Sequence, residues 1–95
     1  MIGYGVLHYT FFDHGFVWML YVDRDHRRHG ARSLLMRHLV GLCTTPRIFT
    51  STNRSNLPMP GLLSKSGYLR SGIVENLDEG DPELVYVKFL NRATT

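Results

Sequence analysis

The chain predicts a mixed α/β domain, a mostly antiparallel sheet carrying two helices in the order β-β-α-β-α-β-β. Three observations carry that expectation. The aromatic and β-branched runs Ile2 to Phe12 and Phe16 to Val22 flank Asp13-His14-Gly15, which marks a hairpin. After Gly30 the apolar spacing changes to three and four, with Ala31, Leu34, Leu35, Leu39 and Leu42 on one helical stripe. The chain then closes with GYLRSGIVEN and ELVYVKFL on either side of the acidic turn LDEGDP, a second antiparallel hairpin.

Size and charge narrow the class. With 95 residues, 43% hydrophobic and 20% charged, residues 1–95 form a single small domain. A chain this short hides only about 60 to 65% of its unfolded surface, so its core is small. No stretch approaches the ~20 apolar residues of a membrane span, and MIGYGVLHYTFF lacks the basic start and unbroken apolar core of a signal peptide, so a cytoplasmic protein is expected. Cys43 is the only cysteine; it forms no internal disulfide and sits where a helix would turn it into the core. The net charge is +3, but four of the eleven Lys/Arg lie within Arg24 to Arg32 and five of the eight acids within Glu75 to Glu83. One positive mouth and one negative turn suit a small anionic ligand better than a long polyanion, which makes nucleic acid an unlikely partner.

Each element has its own signal. Gly3 and Gly5 loosen the start of the first strand, and Gly15 is expected to take positive φ in the first turn. The second strand, FVWMLYV, is apolar on both faces and so belongs in the middle of the sheet. The helix from Gly30 to about Cys43 ends at Thr44-Thr45-Pro46, and Arg47 to Thr52 returns as a strand parallel to the second. Pro58, Pro60 and Gly61 leave room for only a short second helix, ended by Gly67.

The strand-to-helix junction Val22 to Leu35 carries the chemistry. Arg24, Arg27, Arg28 and Arg32 surround a glycine at a helix start, where unpaired N–H groups and the helix dipole already favour an anion. Walker A and dinucleotide fingerprints are absent, since Gly3 and Gly5 are followed by His8 at the third glycine position. The bland reading is a solvated basic helix start. The six residues Arg27-Arg28-His29-Gly30-Ala31-Arg32 resemble the Arg/Gln-x-x-Gly-x-Gly/Ala signature of the GNAT N-acetyltransferases, which wraps the pyrophosphate of acetyl-coenzyme A. Arg32 departs from the signature: its side chain either crowds the pyrophosphate or pairs with a phosphate.

A second block agrees with the same family. Asn56 and the ending Lys65-Ser66-Gly67-Tyr68 stand where many GNAT proteins have an Asn, a helix and a Lys-x-Gly-Phe/Tyr. The resemblance implies an acyl-CoA N-acyltransferase fold lacking its N-terminal strand-helix-helix-strand part. It further implies an N-acetyltransferase that moves an acetyl group from acetyl-CoA to a primary amine of an unknown acceptor. By the same resemblance Leu20, Tyr21 and Val22 hold the pantetheine and thioester, Arg27, Arg28, His29, Gly30, Ala31 and Arg32 the pyrophosphate, and Asn56 the pantetheine arm. Asn56 serves equally well as a cap for the helix that follows.

Catalytic groups are harder to find. The family's usual Tyr acid falls at Leu63, and the third strand, RIFTST, offers no carboxylate. Tyr68 is the remaining weak candidate for the acid, beside its plainer role in the core. His8 and His14 are titratable groups near the expected cleft, and His26 and His29 lack the second pair that a metal would need. Two other functions stand beside the enzyme: a GNAT-like acyl-CoA-binding module with little or no turnover, and a small basic nucleic-acid-binding domain. The first strand, with Val6, Tyr9 and Phe11 and no charged residue along its edge, predicts pairing with a second copy in a homodimer.

Overall fold

The computed structural model describes residues 3–22 and 30–90. Strands β1 (Gly3–Phe11) and β2 (His14–Val22) lead into helix α1 (Ala31–Leu42) and strand β3 (Arg47–Asn53). Helix α2 (Pro58–Lys65) and strands β4 (Leu69–Val74) and β5 (Glu83–Phe89) complete the described chain. The five strands form one sheet in the order β1-β2-β3-β5-β4. Three of the four strand pairs are antiparallel, and β2 with β3 is the parallel one, as the expected crossover through α1 requires.

The first hairpin turns one step earlier than the sequence suggests. Phe12 and Asp13 both have positive φ, 51° and 62°, and Phe11 pairs with His14 across them. A two-residue turn of this hand matches the twist of the strands it joins. Gly15 is therefore a strand residue. A Cβ placed on it would lie 2.5 Å from Cys43 Sγ, so a glycine is needed there for close approach to the end of α1.

The core lies on the face of the sheet covered by the helices. It gathers Val17 and Ile48 from the strands, Met36, Leu39 and Cys43 from α1 and its end, and Leu63 from α2. Leu34 and Leu42, expected on the buried stripe, are 57% and 54% exposed. The buried face of α1 is instead the Met36-Leu39-Cys43 line, which packs in one core with Val17 and Ile48. Leu84 to Val87 are all buried, which fits a strand with neighbours on both sides.

The acidic turn also has a positional role. Asn53 Nδ2 donates to Asp78 at 2.8 Å, and Ser55 donates to Asp81 through its backbone N–H and its hydroxyl at 3.0 and 2.6 Å. Arg54 N–H donates to the Pro82 carbonyl at 2.9 Å. These bonds fasten the connection from β3 to α2 and so fix where Asn56 stands.

Candidate active site

The site begins with a fault in β2. Leu7 faces Val17, but Val6 faces Met19, so Trp18 is an extra residue in the ladder. Such a bulge bends a strand and strengthens its twist. Pairing of β2 with β3 covers Gly15, Phe16 and Val17 and goes no further. Beyond Val17 the two strands part, and a cleft of about 130 Å³ opens between them. Its walls include Val17, Trp18 and Leu20 on one side and Thr50, Ser51 and Thr52 on the other, with Asn56 and Arg32 at the rim. Thr50 is buried and gives its hydroxyl proton to the Val17 carbonyl at 3.0 Å, which ties the two strands just before they part.

The N-terminus of α1 stands at the mouth of this cleft. Gly30 precedes the helix with φ of 71°, the left-handed conformation that a side chain resists, and among the described residues no side chain caps the helix. The first turn contains no acidic residue, so its N–H groups and the positive end of the dipole are available to an anion. Arg32 lines both the cleft and a second groove of about 390 Å³, which runs between the two helices past Ser33, Pro58, Gly61 and Lys65. Two cationic side chains, Arg32 and Lys65, thus flank a groove that meets the cleft at Arg32.

On the opposite face of the sheet the cleft meets a third cavity. This one, of about 520 Å³, shares Trp18 and Ser51 with the cleft and is lined by His8, Phe11, Phe16 and Glu83 among others. The imidazole of His8 stacks on Phe16 at 5.6 Å, and Phe11 lies 5.0 Å from Phe16. Ser51 gives its hydroxyl proton to Glu83 Oε2 at 2.6 Å. A carboxylate in this position can accept a hydrogen bond from an amine. The third strand has no carboxylate of its own; β5 supplies one, and the pairing of Ser51 with Val85 brings Glu83 within reach.

The residues expected from the sequence divide among these places. Leu20 lines the cleft, whereas Tyr21 is 44% exposed against Tyr4 and Val22 is buried against the start of α1. Gly30, Ala31 and Arg32 form the helix start described above. Arg27, Arg28 and His29, like Arg24 and His26, lie outside the described residues. Asn56 lines the cleft; its carbonyl accepts from the Met59 N–H at 3.3 Å, and no side chain caps α2. His8 lines the third cavity, while His14 Nδ1 is buried with no hydrogen-bond partner among the described residues.

Neither Leu63 nor Tyr68 lines the cleft. Leu63 is wholly buried in the core. Tyr68 is 4% exposed, among the core residues with Cys43, and its hydroxyl has no partner among the described residues. Burial, and then the neighbouring Cys43 thiol, push its phenol well above the usual tyrosine range. None of the three cavities is lined by it. Among the described residues no group of three or more potential ligands could hold a metal.

The site thus combines a bulged central strand that parts from its parallel neighbour with a helix N-terminus at the gap, on an α/β sheet. The model of the acetyltransferase (GNAT) family matches residues 1–68. A GNAT-family acetyltransferase from Bacillus cereus ATCC 10987 is 40% identical and superposes with a TM-score of 0.88, over 95% of this chain and 63% of that one. The chain belongs to the GNAT acetyltransferase family.

More distant structures share the fold. A protein described as a streptothricin acetyltransferase of Bacillus anthracis str. Ames, solved in complex with acetyl coenzyme A, is 18% identical with a TM-score of 0.85, over 95% of this chain and 56% of that one. The ribosomal-protein-S18-alanine N-acetyltransferase of Escherichia coli is 17% identical with a TM-score of 0.85, over 99% of this chain and 64% of that one. This chain therefore spans 56% to 64% of the length of these three proteins. No curated protein sequence matches it.

Proposed function

We propose that this chain is an acetyl-coenzyme A-dependent N-acetyltransferase domain acting on a primary amine. The observation that carries the reading is the series of three cavities with shared walls: helix groove and cleft meet at Arg32, cleft and aromatic cavity at Trp18 and Ser51. A long ligand with phosphates at one end and a thioester at the other fits that sequence of environments. Acetyl-coenzyme A supplies an acetyl group activated as a thioester, which an amine can attack directly.

The chain's own groups have separate tasks in this reading. The N–H groups at the start of α1, with Arg32 and the Arg27, Arg28 and His29 of the signature, receive the pyrophosphate. Asn56 and the β2 backbone near Leu20 hold the pantetheine arm in the cleft, and a fixed N–H there would stabilise charge on the thioester oxygen. A second reading, an acyl-CoA-binding module with little turnover, is favoured by one observation. The position of the usual acid is Leu63, inside the core.

Two further parts of the reading concern the protein's surroundings. Among the described residues strand β1 has a single neighbour in the sheet, and we place a second copy of the chain against its outer edge. No helix among the described residues is long and apolar enough to cross a membrane, and a cytoplasmic location is the one proposed. Nucleic acid has no part in it.

Calorimetric titration with coenzyme A tests the binding. A single site is expected, and Arg32→Ala or Gly30→Asp should weaken it about tenfold or more, the value of one charge-assisted contact. Absence of heat with folded protein, or tighter binding by Arg32→Ala, would overturn this assignment.

A further inference from the structure

The aromatic cavity has a composition that selects its ligand. Among the described residues its lining contains one carboxylate, Glu83, and neither lysine nor arginine. Among the described residues Ser51 is the only side chain bonded to Glu83, which leaves that carboxylate with acceptor capacity toward the cavity. Around it stand Phe11, Phe16 and Trp18 with Val74 and Leu77, and Trp18 is 65% exposed. An ammonium would find both a charged acceptor and the faces of aromatic rings, the two environments that stabilise a cation beside apolar surface. An anion would find, among the described residues, no lysine, arginine or helix start, only the imidazole of His8, whose Nδ1 lies 2.8 Å from Thr10 Oγ1.

We infer that this cavity is the acceptor site and that it takes monocationic primary amines joined to an aromatic or branched apolar body, with the ammonium on Glu83 and the body against Phe16 and Trp18. The inference rests on the proposed acetyl transfer, because the cavity gains its meaning from meeting the cleft at Trp18 and Ser51. A volume of about 520 Å³ is within the range of pockets that enclose a small organic ligand. Amines that carry a carboxylate next to the ammonium are disfavoured, since that negative charge would stand beside the Glu83 carboxylate. The hydrogen bond from Ser51 fixes the Glu83 carboxylate toward the gap between β2 and β3, where an amine would have to enter to meet a thioester.

Trp18 is the only tryptophan in the chain, so its fluorescence reports the wall that this cavity shares with the cleft, and the titration is run without coenzyme A. Titration of the full chain with 2-phenylethylammonium should give a saturable change in Trp18 emission. The same body with the opposite charge, 3-phenylpropanoate, should give none in the same range. Glu83→Gln, which keeps an acceptor for Ser51, should weaken the amine about tenfold or more. Equal response to the two ligands, or equal affinity in Glu83→Gln, would overturn the inference. So would the absence of a saturable response in protein that still binds coenzyme A, and in that case the proposed cofactor site stands. Failure to bind coenzyme A at all would instead remove the reading on which the inference rests.

Discussion

Gly15 and Cys43 touch so closely that one fixes the other: the Cβ position of Gly15 lies 2.5 Å from Cys43 Sγ, and Gly15 N–H donates to the neighbouring Thr45 Oγ1 at 2.9 Å. This contact locks the start of β2 onto the C-terminal end of α1. It sets the height at which β2 and β3 begin to pair, and hence where they part.

Gly15→Ala should therefore destabilise the fold by about 1 to 3 kcal/mol, the usual effect of overpacking a tight core. Urea unfolding measures it. Adding Cys43→Ala should recover much of the loss, because it removes the atom that the new methyl group meets. Two additive losses would contradict the contact.

Tyr68 gives a prediction of the opposite sign. Its buried hydroxyl lacks a partner among the described residues, so Tyr68→Phe should leave stability unchanged or raise it by up to about 1 kcal/mol. The phenol is raised in the folded protein, while an unfolded tyrosine titrates near ~10. Above that pH the unfolded state loses the proton first, so stability falls as pH rises, and Tyr68→Phe should lose this part of the alkaline sensitivity. Unfolding midpoints between neutral and alkaline pH, compared for the two proteins, measure it. An unchanged alkaline slope would place the hydroxyl in water.

Catalysis by this chain alone should be slow even where binding is normal. Leu63 has no proton to give, Tyr68 lines none of the three cavities, and general acid catalysis is worth ~10² to 10⁴-fold. Steady-state acetylation of a primary amine is the measurement. Robust turnover that ignores Tyr68→Phe would mean that another group protonates the leaving thiolate.

The outer edge of β1 bears on assembly. A strand with one neighbour and no charge along it pairs readily with another. Light scattering at micromolar concentration should give twice the 10.9 kDa of one chain, and Val6→Lys should return it to the monomer. A mass near 10.9 kDa for the unaltered protein would contradict the pairing.

Much of the fold is legible in the residues, and the reasons for the rest are local. Element order, the parallel return through α1 and the short α2 follow from apolar spacing and from Pro and Gly. The buried line of α1 does not: with Leu34, Leu35, Met36, Leu39, Val40 and Leu42 all apolar, several stripes compete, and contact with Val17 and Ile48 selects Met36, Leu39 and Cys43. Gly15 reads as a turn glycine because a turn was due nearby; its contact with Cys43, distant in sequence, is what decides. The bulge at Trp18 is invisible in FVWMLYV, a run without the alternation that a one-residue insertion would break. Glu83 escapes notice for a related reason: it belongs to an acidic turn by composition, and only the pairing of β3 with β5 carries it to Ser51. The helix-start signature, by contrast, is a local string and can be read directly.

In the proposed function the gap opened after Val17 receives the pantetheine arm of acetyl-coenzyme A. Backbone amide chemical shifts of the isotope-labelled chain, followed during addition of coenzyme A, test it most directly. Saturating changes are expected at Trp18 and Leu20, at Gly30 to Ser33 and at Asn56 to Met59, with β4 and the 75–82 turn left in place. Saturating changes confined to other parts of the sheet, or none in folded protein, would contradict it.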